Sequence, residues 1–102
     1  MEDILQSFIE NTPDVLNFFA GYFPEAEFDD TLTDKKIIAN YILSNTTATI
    51  TQTYKELEML DNDPNTLKLI AREINRHFET TEEIWQWLQM IKKTYQTKIE
   101  QL

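Results

Sequence analysis

Apolar residues recur along this chain at intervals of three and four positions, the spacing that places them on one face of a helix. About six such segments follow one another, separated by short polar stretches. The chain also holds a single glycine, so few positions suit the positive-φ turns of a hairpin-rich β domain. We therefore predict an all-α fold: one domain over residues 1–102, a bundle of about six short helices with short loops and antiparallel neighbours.

Capping residues and prolines predict where the early helices begin and end. Thr12-Pro13 has the pattern of an N-cap followed by proline at the first position of the second helix. Pro24 should end that helix and push Phe23 out of the helical region, because proline disfavours helical backbone in the residue before it. The acidic, aperiodic stretch that follows predicts an ordered loop over residues 24–32, anchored by Phe28 and Leu32.

The third, fifth and sixth helices carry comparable start signals. Thr33 or Asp34 caps the third helix, and Asp63-Pro64 repeats the cap-and-proline start at the fifth. Thr80 and Glu83 have the spacing of a capping box, in which each side chain satisfies the other residue's backbone N–H. The sixth helix should therefore begin directly after Thr80.

Apolar stripes define the extent of the later helices. In the fourth helix the stripe begins within residues 46–53, where many β-branched residues make the helical pattern the weakest of the six. In the fifth helix the stripe runs from Leu67 to Phe78. In the sixth it runs from Ile84 to Ile99, which predicts the longest helix of the chain.

Charge is distributed unevenly along the chain. The formal net charge is −9, and the first 34 residues hold nine acidic residues but no Lys or Arg, whereas the remainder holds nine of each sign. Such a segment repels nucleic acid, whose binding depends on Lys and Arg, and attracts a basic protein. The alternative interpretation is that the acidity only keeps a small protein in solution. We predict a basic protein partner and no nucleic acid.

Composition excludes several further classes of function. Without cysteine, the chain cannot form disulfides, thiol nucleophiles or Cys-based metal centres. No segment approaches the ~20 apolar residues of a membrane span, and the start Met1-Glu2-Asp3 lacks the cationic region of a secretory signal. We expect a cytoplasmic protein with no membrane association and no cofactor.

Acidic residues near the fifth helix have part of the spacing of a calcium loop. Asp61, Asp63 and Asn65 match its positions 1, 3 and 5. However, Thr66 replaces the required glycine and Arg72 replaces the bidentate glutamate, so a capped helix start is the better interpretation. The acids between residues 25 and 30 could also bind a metal, but without a ligand pattern they are more typical of a solvated surface. We predict no metal site.

Arg72 and His77 present the one candidate for catalysis. An arginine followed by four residues and a histidine on a helix resembles the ribonuclease motif of helical HEPN domains. Against this, the chain has no second histidine, Glu73 replaces the usual polar neighbour, and the acidic first third disfavours RNA. We therefore predict that the protein is not an enzyme and keep a HEPN-like ribonuclease as an alternative.

Five aromatic residues lie between positions 18 and 28, next to the acids. Most should belong to the core, yet four of them cannot all face one direction on a helix, so we expect at least one near the surface. In the last helix Trp87 lies near the edge of the apolar stripe and Trp85 further from it. An aromatic side chain surrounded by acids is typical of a binding hot spot for a basic protein.

Three segments of the chain together resemble a known family. They are Phe18-Phe19-Ala20-Gly21-Tyr22-Phe23 with the downstream Asp29 and Asp30, Tyr54-Lys55-Glu56-Leu57-Glu58, and Ile84-Trp85-Gln86-Trp87-Leu88. They are similar to the Gly-Tyr-Phe signature, the central Glu-Leu helix and the Trp-Leu pair of helical immunity proteins from bacterial contact-dependent growth inhibition systems. Residues 24–28 intervene where family members carry His-Gln-Asp, so the contact residues are placed here by charge.

The resemblance implies a small immunity protein that neutralises the C-terminal toxin domain of a delivered effector. Such toxins are often cationic nucleases, with ribonuclease favoured over DNase, and we expect a 1:1 heterodimer with the toxin and a monomer otherwise. The acids would stand in for phosphates, with Tyr22 or Phe28 as apolar contact. The alternative is an acidic helical adaptor for another basic protein. The predicted toxin-binding residues are Asp14, Tyr22, Glu25, Glu27, Phe28, Asp29, Asp30 and Asp34.

Overall fold

The computed structural model describes residues 4–29 and 31–101, and all regular structure in these two ranges is helical. The predicted all-α bundle of six helices is confirmed. Most connections are short; the two longest are residues 23–33 between the second and third helices, which include a 3₁₀ turn, and residues 74–80 between the fifth and sixth. The elements are α1 (Ile4–Asn11), α2 (Pro13–Tyr22), a 3₁₀ turn (Phe23–Glu27), α3 (Asp34–Ser44), α4 (Thr47–Glu58), α5 (Pro64–Glu73) and α6 (Thr81–Glu100).

Two helices organise the core. The helix α2 packs against α1, α3, α4 and α5, and α6 packs against α3, α4 and α5. Phe18 of α2 is fully buried, and its ring lies 4.5 Å from the ring of Tyr41 and 5.6 Å from that of Tyr95. The radius of gyration, 13.1 Å, is that of one compact domain of this length.

The start of α2 is capped by a distant glutamate. Thr12 occupies the predicted N-cap position, but its side chain makes no capping hydrogen bond. Instead, Oε1 of Glu56 in α4 accepts hydrogen bonds from the backbone N–H of Asp14 (2.9 Å) and of Val15 (3.1 Å). Glu56 is 1% exposed, and its Oε2 accepts from Nε2 of Gln52 at 3.0 Å. An anionic side chain thus satisfies free N–H groups at the positive end of the α2 dipole.

The backbone differs from the sequence prediction at the end of α2. The α-helix ends at Tyr22 as expected, but Phe23 keeps helical backbone angles (φ −71°, ψ −36°) and begins the 3₁₀ turn. The predicted exit of Phe23 is wrong because burial of its side chain, which is 1% exposed, outweighs the steric preference set by Pro24. The predicted loop over residues 24–32 is therefore helical in its first part.

The fifth helix is shorter than its apolar stripe predicts. It ends at Glu73, and Asn75 adopts a left-handed conformation with φ 55°. The N–H of Arg76 donates to the carbonyl of Ala71 and that of Asn75 to the carbonyl of Arg72, both at 3.1 Å, which is a Schellman motif. Asparagine tolerates this conformation better than other non-glycine residues. The connection from residue 74 to 80 therefore leaves the helix, although Ile74 stays buried.

Local caps begin the other helices largely as predicted. The hydroxyl of Thr33 accepts from the N–H of Lys36, and the hydroxyl of Thr46 caps α4, so the weakest helical pattern is confirmed as a helix. Thr80 accepts from the N–H of Glu83, but the carboxylate of Glu83 accepts from the N–H of Glu79 instead of Thr80. The box is therefore formed one residue out of register.

Candidate protein-binding surface

Between α2 and α3 the chain presents two acids and an aromatic ring to solvent. Glu25 lies in the 3₁₀ turn, and Phe28 and Asp29 follow it; all three are exposed. We name these three residues the acidic surface. Asp30 and the side chain of Glu27 lie outside the part of the chain that the structure describes.

Phe28 is the most exposed large apolar side chain among those described, with 87% of its surface accessible. Its predicted role as an anchor of the loop is wrong. Leu32 does pack against the core, so the loop is held at its other end. The Phe28 ring contributes nothing to burial, and a protruding aromatic ring between two acids is available for contact with another molecule.

Asp29 is held in a fixed geometry by Thr31. Its Oδ1 accepts a hydrogen bond from the backbone N–H of Thr31 at 2.9 Å and another from the Thr31 hydroxyl at 2.6 Å. These hydrogen bonds, that of the hydroxyl first, lower the pKa of the Asp29 carboxyl. The hydrogen bonds thus favour the charged form of the Asp29 carboxyl, and the turn sets its position.

Tyr22 joins this surface to a polar groove between α2 and α3. Its ring is half-buried and packs edge-on against Tyr41, with ring centroids 5.0 Å apart. Its hydroxyl accepts from Nδ2 of Asn45 at 3.4 Å. The groove has a volume of about 580 Å³ and is lined by Tyr22, Glu25, Asn17 and Asn40. Two of the predicted binding residues, Tyr22 and Glu25, thus meet in one groove.

Asp34 forms hydrogen bonds within the protein instead of facing a partner. Its two carboxylate oxygens accept from the Arg76 guanidinium at 3.1 and 2.9 Å, and its Oδ2 also accepts from Nε1 of Trp87 at 3.0 Å. The guanidinium carbon lies 5.6 Å from the centre of the Trp87 ring. This Asp34 cluster ties the start of α3 to α6 and to the α5–α6 connection. Trp87 is consequently buried, with 8% exposed, whereas Trp85 is half-buried beneath Lys92.

Asp14 lies apart from the acidic surface. It is in the first turn of α2, where its backbone N–H donates to Glu56. Glu25 follows the last turn of α2, roughly 16 Å further along the helix axis at 1.5 Å per residue. The predicted binding residues therefore do not form one patch. Glu25, Phe28 and Asp29 are exposed between α2 and α3, whereas Asp14 lies at the start of α2 and Asp34 bonds Arg76 and Trp87.

Arg72 and His77, the candidate residues of the ribonuclease alternative, do not have the arrangement that this alternative requires. Arg72 is in the last turn of α5 and pairs with its neighbour Glu73 at 3.2 Å, while His77 follows the Schellman motif. The two residues therefore do not share a helix, which the resemblance to the HEPN motif requires. His77 is exposed in the connection to α6.

The partial calcium-loop spacing has a structural explanation. The carboxylate of Asp63 accepts from the N–H and the hydroxyl of Thr66, at 3.0 and 3.2 Å, and so caps α5. Over residues 4–29 and 31–101, no group of three or more His, Asp or Glu side chains is arranged to hold a metal ion. Within the same ranges, every helix is too short or too polar to cross a bilayer.

No protein-family model, curated protein or solved structure matches this chain. The fold and surface alone therefore describe it: a small all-α bundle whose exposed acids and aromatic ring lie between α2 and α3. Local sequence patterns do not predict the roles of Glu56, which caps α2, and of Arg76, which pairs with Asp34. The one sequence signal for Glu56 is its position as a charged residue on the apolar face of α4.

Proposed function

We propose that the protein is a cytoplasmic immunity protein that binds the basic toxin domain of a growth-inhibition effector. This toxin domain is a nuclease, and the immunity protein blocks its active site. The observation that carries the proposal is the exposed Phe28 ring beside Glu25 and Asp29, in a segment of 34 residues without Lys or Arg. The family resemblance of the sequence supports the same function.

The chemistry of the acidic surface suits a basic partner. Carboxylates attract Lys and Arg over several ångströms and raise the rate of encounter. An aromatic ring that becomes buried in the complex slows dissociation, since desolvated aromatic residues are frequent hot spots. Because a nuclease binds phosphates with the same Lys and Arg side chains, a carboxylate surface placed on them excludes the substrate.

Co-expression tests the proposal. We expect the gene beside that of this chain to encode a large secreted effector, and the C-terminal domain of that effector is expressed together with the chain while growth and co-purification are measured. We expect the chain to restore growth and to purify with the domain in a 1:1 complex. Growth arrest despite equal expression of the chain would contradict the proposal, and a stable complex with another basic protein alone would identify an adaptor.

A charge-reversal pair separates the acidic surface from overall charge. In one variant Glu25 and Asp29 of the acidic surface become Lys together with their sequence neighbours Glu27 and Asp30. In the control Glu58, Asp61, Glu79 and Glu100 become Lys. In each variant four acids become Lys, and each substitution adds two positive charges, so the net charge changes from −9 to −1. We expect only the first to lose protection. Equal loss in both variants would show that net charge, and not this surface, carries the binding.

A second pair tests the aromatic contact. Phe28→Ser removes an exposed ring from the acidic surface, and Leu43→Ser removes a side chain that is similarly exposed, at 81%, on α3. We expect Phe28→Ser to weaken the complex about thirtyfold, the effect of a hot-spot residue of about 2 kcal/mol. Leu43→Ser should leave it unchanged. Weaker binding by Leu43→Ser and unchanged binding by Phe28→Ser would instead place the interface at the C-terminal end of α3.

A further inference from the structure

Gly21, the one glycine of the chain, lies where the fold does not need a glycine. It belongs to α2, whose helical backbone continues into the 3₁₀ turn, and its φ is not positive. A Cβ at this position would have as its nearest neighbour the Oδ1 atom of Asn17 at 3.4 Å, the mobile end of an exposed side chain. Alanine would therefore fit, and it favours a helix more than glycine does.

Gly21 separates two grooves on the surface of α2. On one side lies the polar groove between α2 and α3, with Glu25 and Asn40. On the other lies an apolar groove of about 400 Å³ toward α1, with Ile9 and Leu16. Gly21 and Asn17 line both grooves, and at Gly21 no side chain separates the two. Any larger residue would stand between the grooves.

The polar groove suits a guanidinium group. It combines the exposed carboxylate of Glu25 with the side-chain amides of Asn17 and Asn40, whose oxygens accept hydrogen bonds. No Lys or Arg lines it, and none occurs in the first 34 residues. Arginine presents five donors in a planar fork and can bond a carboxylate and amide oxygens together.

We propose that α2 carries a docking site for a segment of the basic partner. An arginine of that segment enters the polar groove, the partner's backbone crosses α2 at Gly21, and a following apolar side chain enters the apolar groove. The site rests on the proposed function for the identity of the partner. Its chemistry can be tested without the partner.

The probe is a capped Gly-Arg-Gly-Leu peptide, added to the full ¹⁵N-labelled chain and followed by NMR. We expect saturable shifts at the Gly21 amide and at the side-chain amides of Asn17 and Asn40. The same peptide with Glu in place of Arg should produce none. Absence of saturable shifts with the arginine peptide, or shifts spread over acids outside the grooves, would overturn the proposal.

Substitutions at Gly21 separate binding from stability. Gly21→Ala should raise the denaturation midpoint yet weaken peptide binding about threefold, and Gly21→Leu should weaken it at least about tenfold by placing a side chain between the two grooves. Glu25→Gln should weaken binding about threefold, as expected for an exposed ion pair. Ala48→Leu, on the exposed face of α4, is the control and should bind as the unmodified chain does.

Different results would contradict the docking site and the immunity function. Unchanged peptide affinity in Gly21→Leu would overturn the docking site, as would full growth protection by this variant, although the immunity function would stand. If the unmodified chain gave no protection while the peptide bound as described, the immunity function would be wrong and the docking site would stand.

Discussion

Glu56 and Glu25 lie at opposite ends of α2 and do opposite things. Glu56 is buried at the N-terminus of the helix, where it accepts two backbone hydrogen bonds and faces the positive end of the dipole. Glu25 is exposed beyond the C-terminus, where the dipole disfavours negative charge. The Glu56 carboxylate thus stabilises the fold, whereas within residues 4–29 and 31–101 the Glu25 carboxylate makes no hydrogen bond or ion pair. An exposed carboxylate that has no structural role, such as that of Glu25, is available to bind a partner.

The same contrast separates Asp34 from Asp29, two acids of the same charged segment. The Asp34 side chain bonds Arg76 and Trp87 from other parts of the chain, whereas the described hydrogen bonds of the Asp29 side chain come from Thr31, two residues away. Substitutions should therefore divide into those that change stability and those that change binding.

The largest effect on stability is expected at Glu56. Glu56→Ala leaves two N–H groups at the start of α2 without their acceptor and removes a buried side chain, so the free energy of unfolding should fall by about 3 kcal/mol. Urea denaturation measures this. The control Glu58→Ala, an exposed site two residues further on, should change it by less than about 0.5 kcal/mol. Equal effects would show that Glu56 does not cap α2.

The Asp34 cluster should give the next largest effect. Asp34→Ala removes a two-oxygen ion pair whose side chains are 20% and 32% exposed, and we expect a loss of about 1.5 kcal/mol after allowing for solvent screening. A double-mutant cycle with Arg76→Met measures the coupling. Glu73→Ala breaks the exposed pair with Arg72 and should have almost no effect. Absence of coupling between Asp34 and Arg76 would contradict an internal role for Asp34.

Charge reversal at Glu25 should change stability least and in the opposite direction. Glu25→Lys places a positive charge beyond the C-terminus of α2, which should stabilise the protein by about 0.3 kcal/mol. Thermal denaturation at low salt measures the shift. The same variant should bind the toxin domain more weakly. A marked loss of stability would show that the fold does use Glu25.

The pH dependence of Asp29 tests how an exposed acid of the acidic surface is held in place. Because hydrogen bonds from Thr31 lower the pKa of Asp29, its small contribution to stability is present above the pKa of the unfolded chain and is lost as the pH falls through the folded-state pKa. Thr31→Val removes the hydroxyl and should raise the pKa of Asp29 toward the usual value. Carboxyl ¹³C chemical shifts measured against pH report this. An unchanged pKa would mean that the hydroxyl is not the main cause.

Sequence patterns predict the parts of this molecule that depend on near neighbours. The caps at Thr33, Asp63 and Thr80 each bond a residue three positions away, so a short window contains the whole interaction. The apolar spacing likewise predicts the six helices, because each buried face is a property of its own segment. The end of α5 was missed since Asn75 interrupts an apolar stripe that continues to Phe78.

The missed features join residues that are far apart in sequence. Glu56 caps α2 across 41 and 42 positions, and Trp87 reaches Asp34 across 53. Neither pairing follows from a local pattern, because it depends on how the helices pack. The exposure of Phe28 could not be predicted for the same reason: an aromatic residue in a loop is buried or exposed according to what packs over it.

The rate at which the chain associates with the toxin domain that it is proposed to bind tests the central claim most directly. It is measured by stopped flow at increasing salt for the unmodified chain and the two charge-reversal variants. We predict that the variant at Glu25, Glu27, Asp29 and Asp30 associates at least about tenfold more slowly and with little salt dependence. The matched control, reversed at four acids elsewhere, should remain close to the unmodified chain. Equal rates for the two variants would contradict a binding role for the acidic surface.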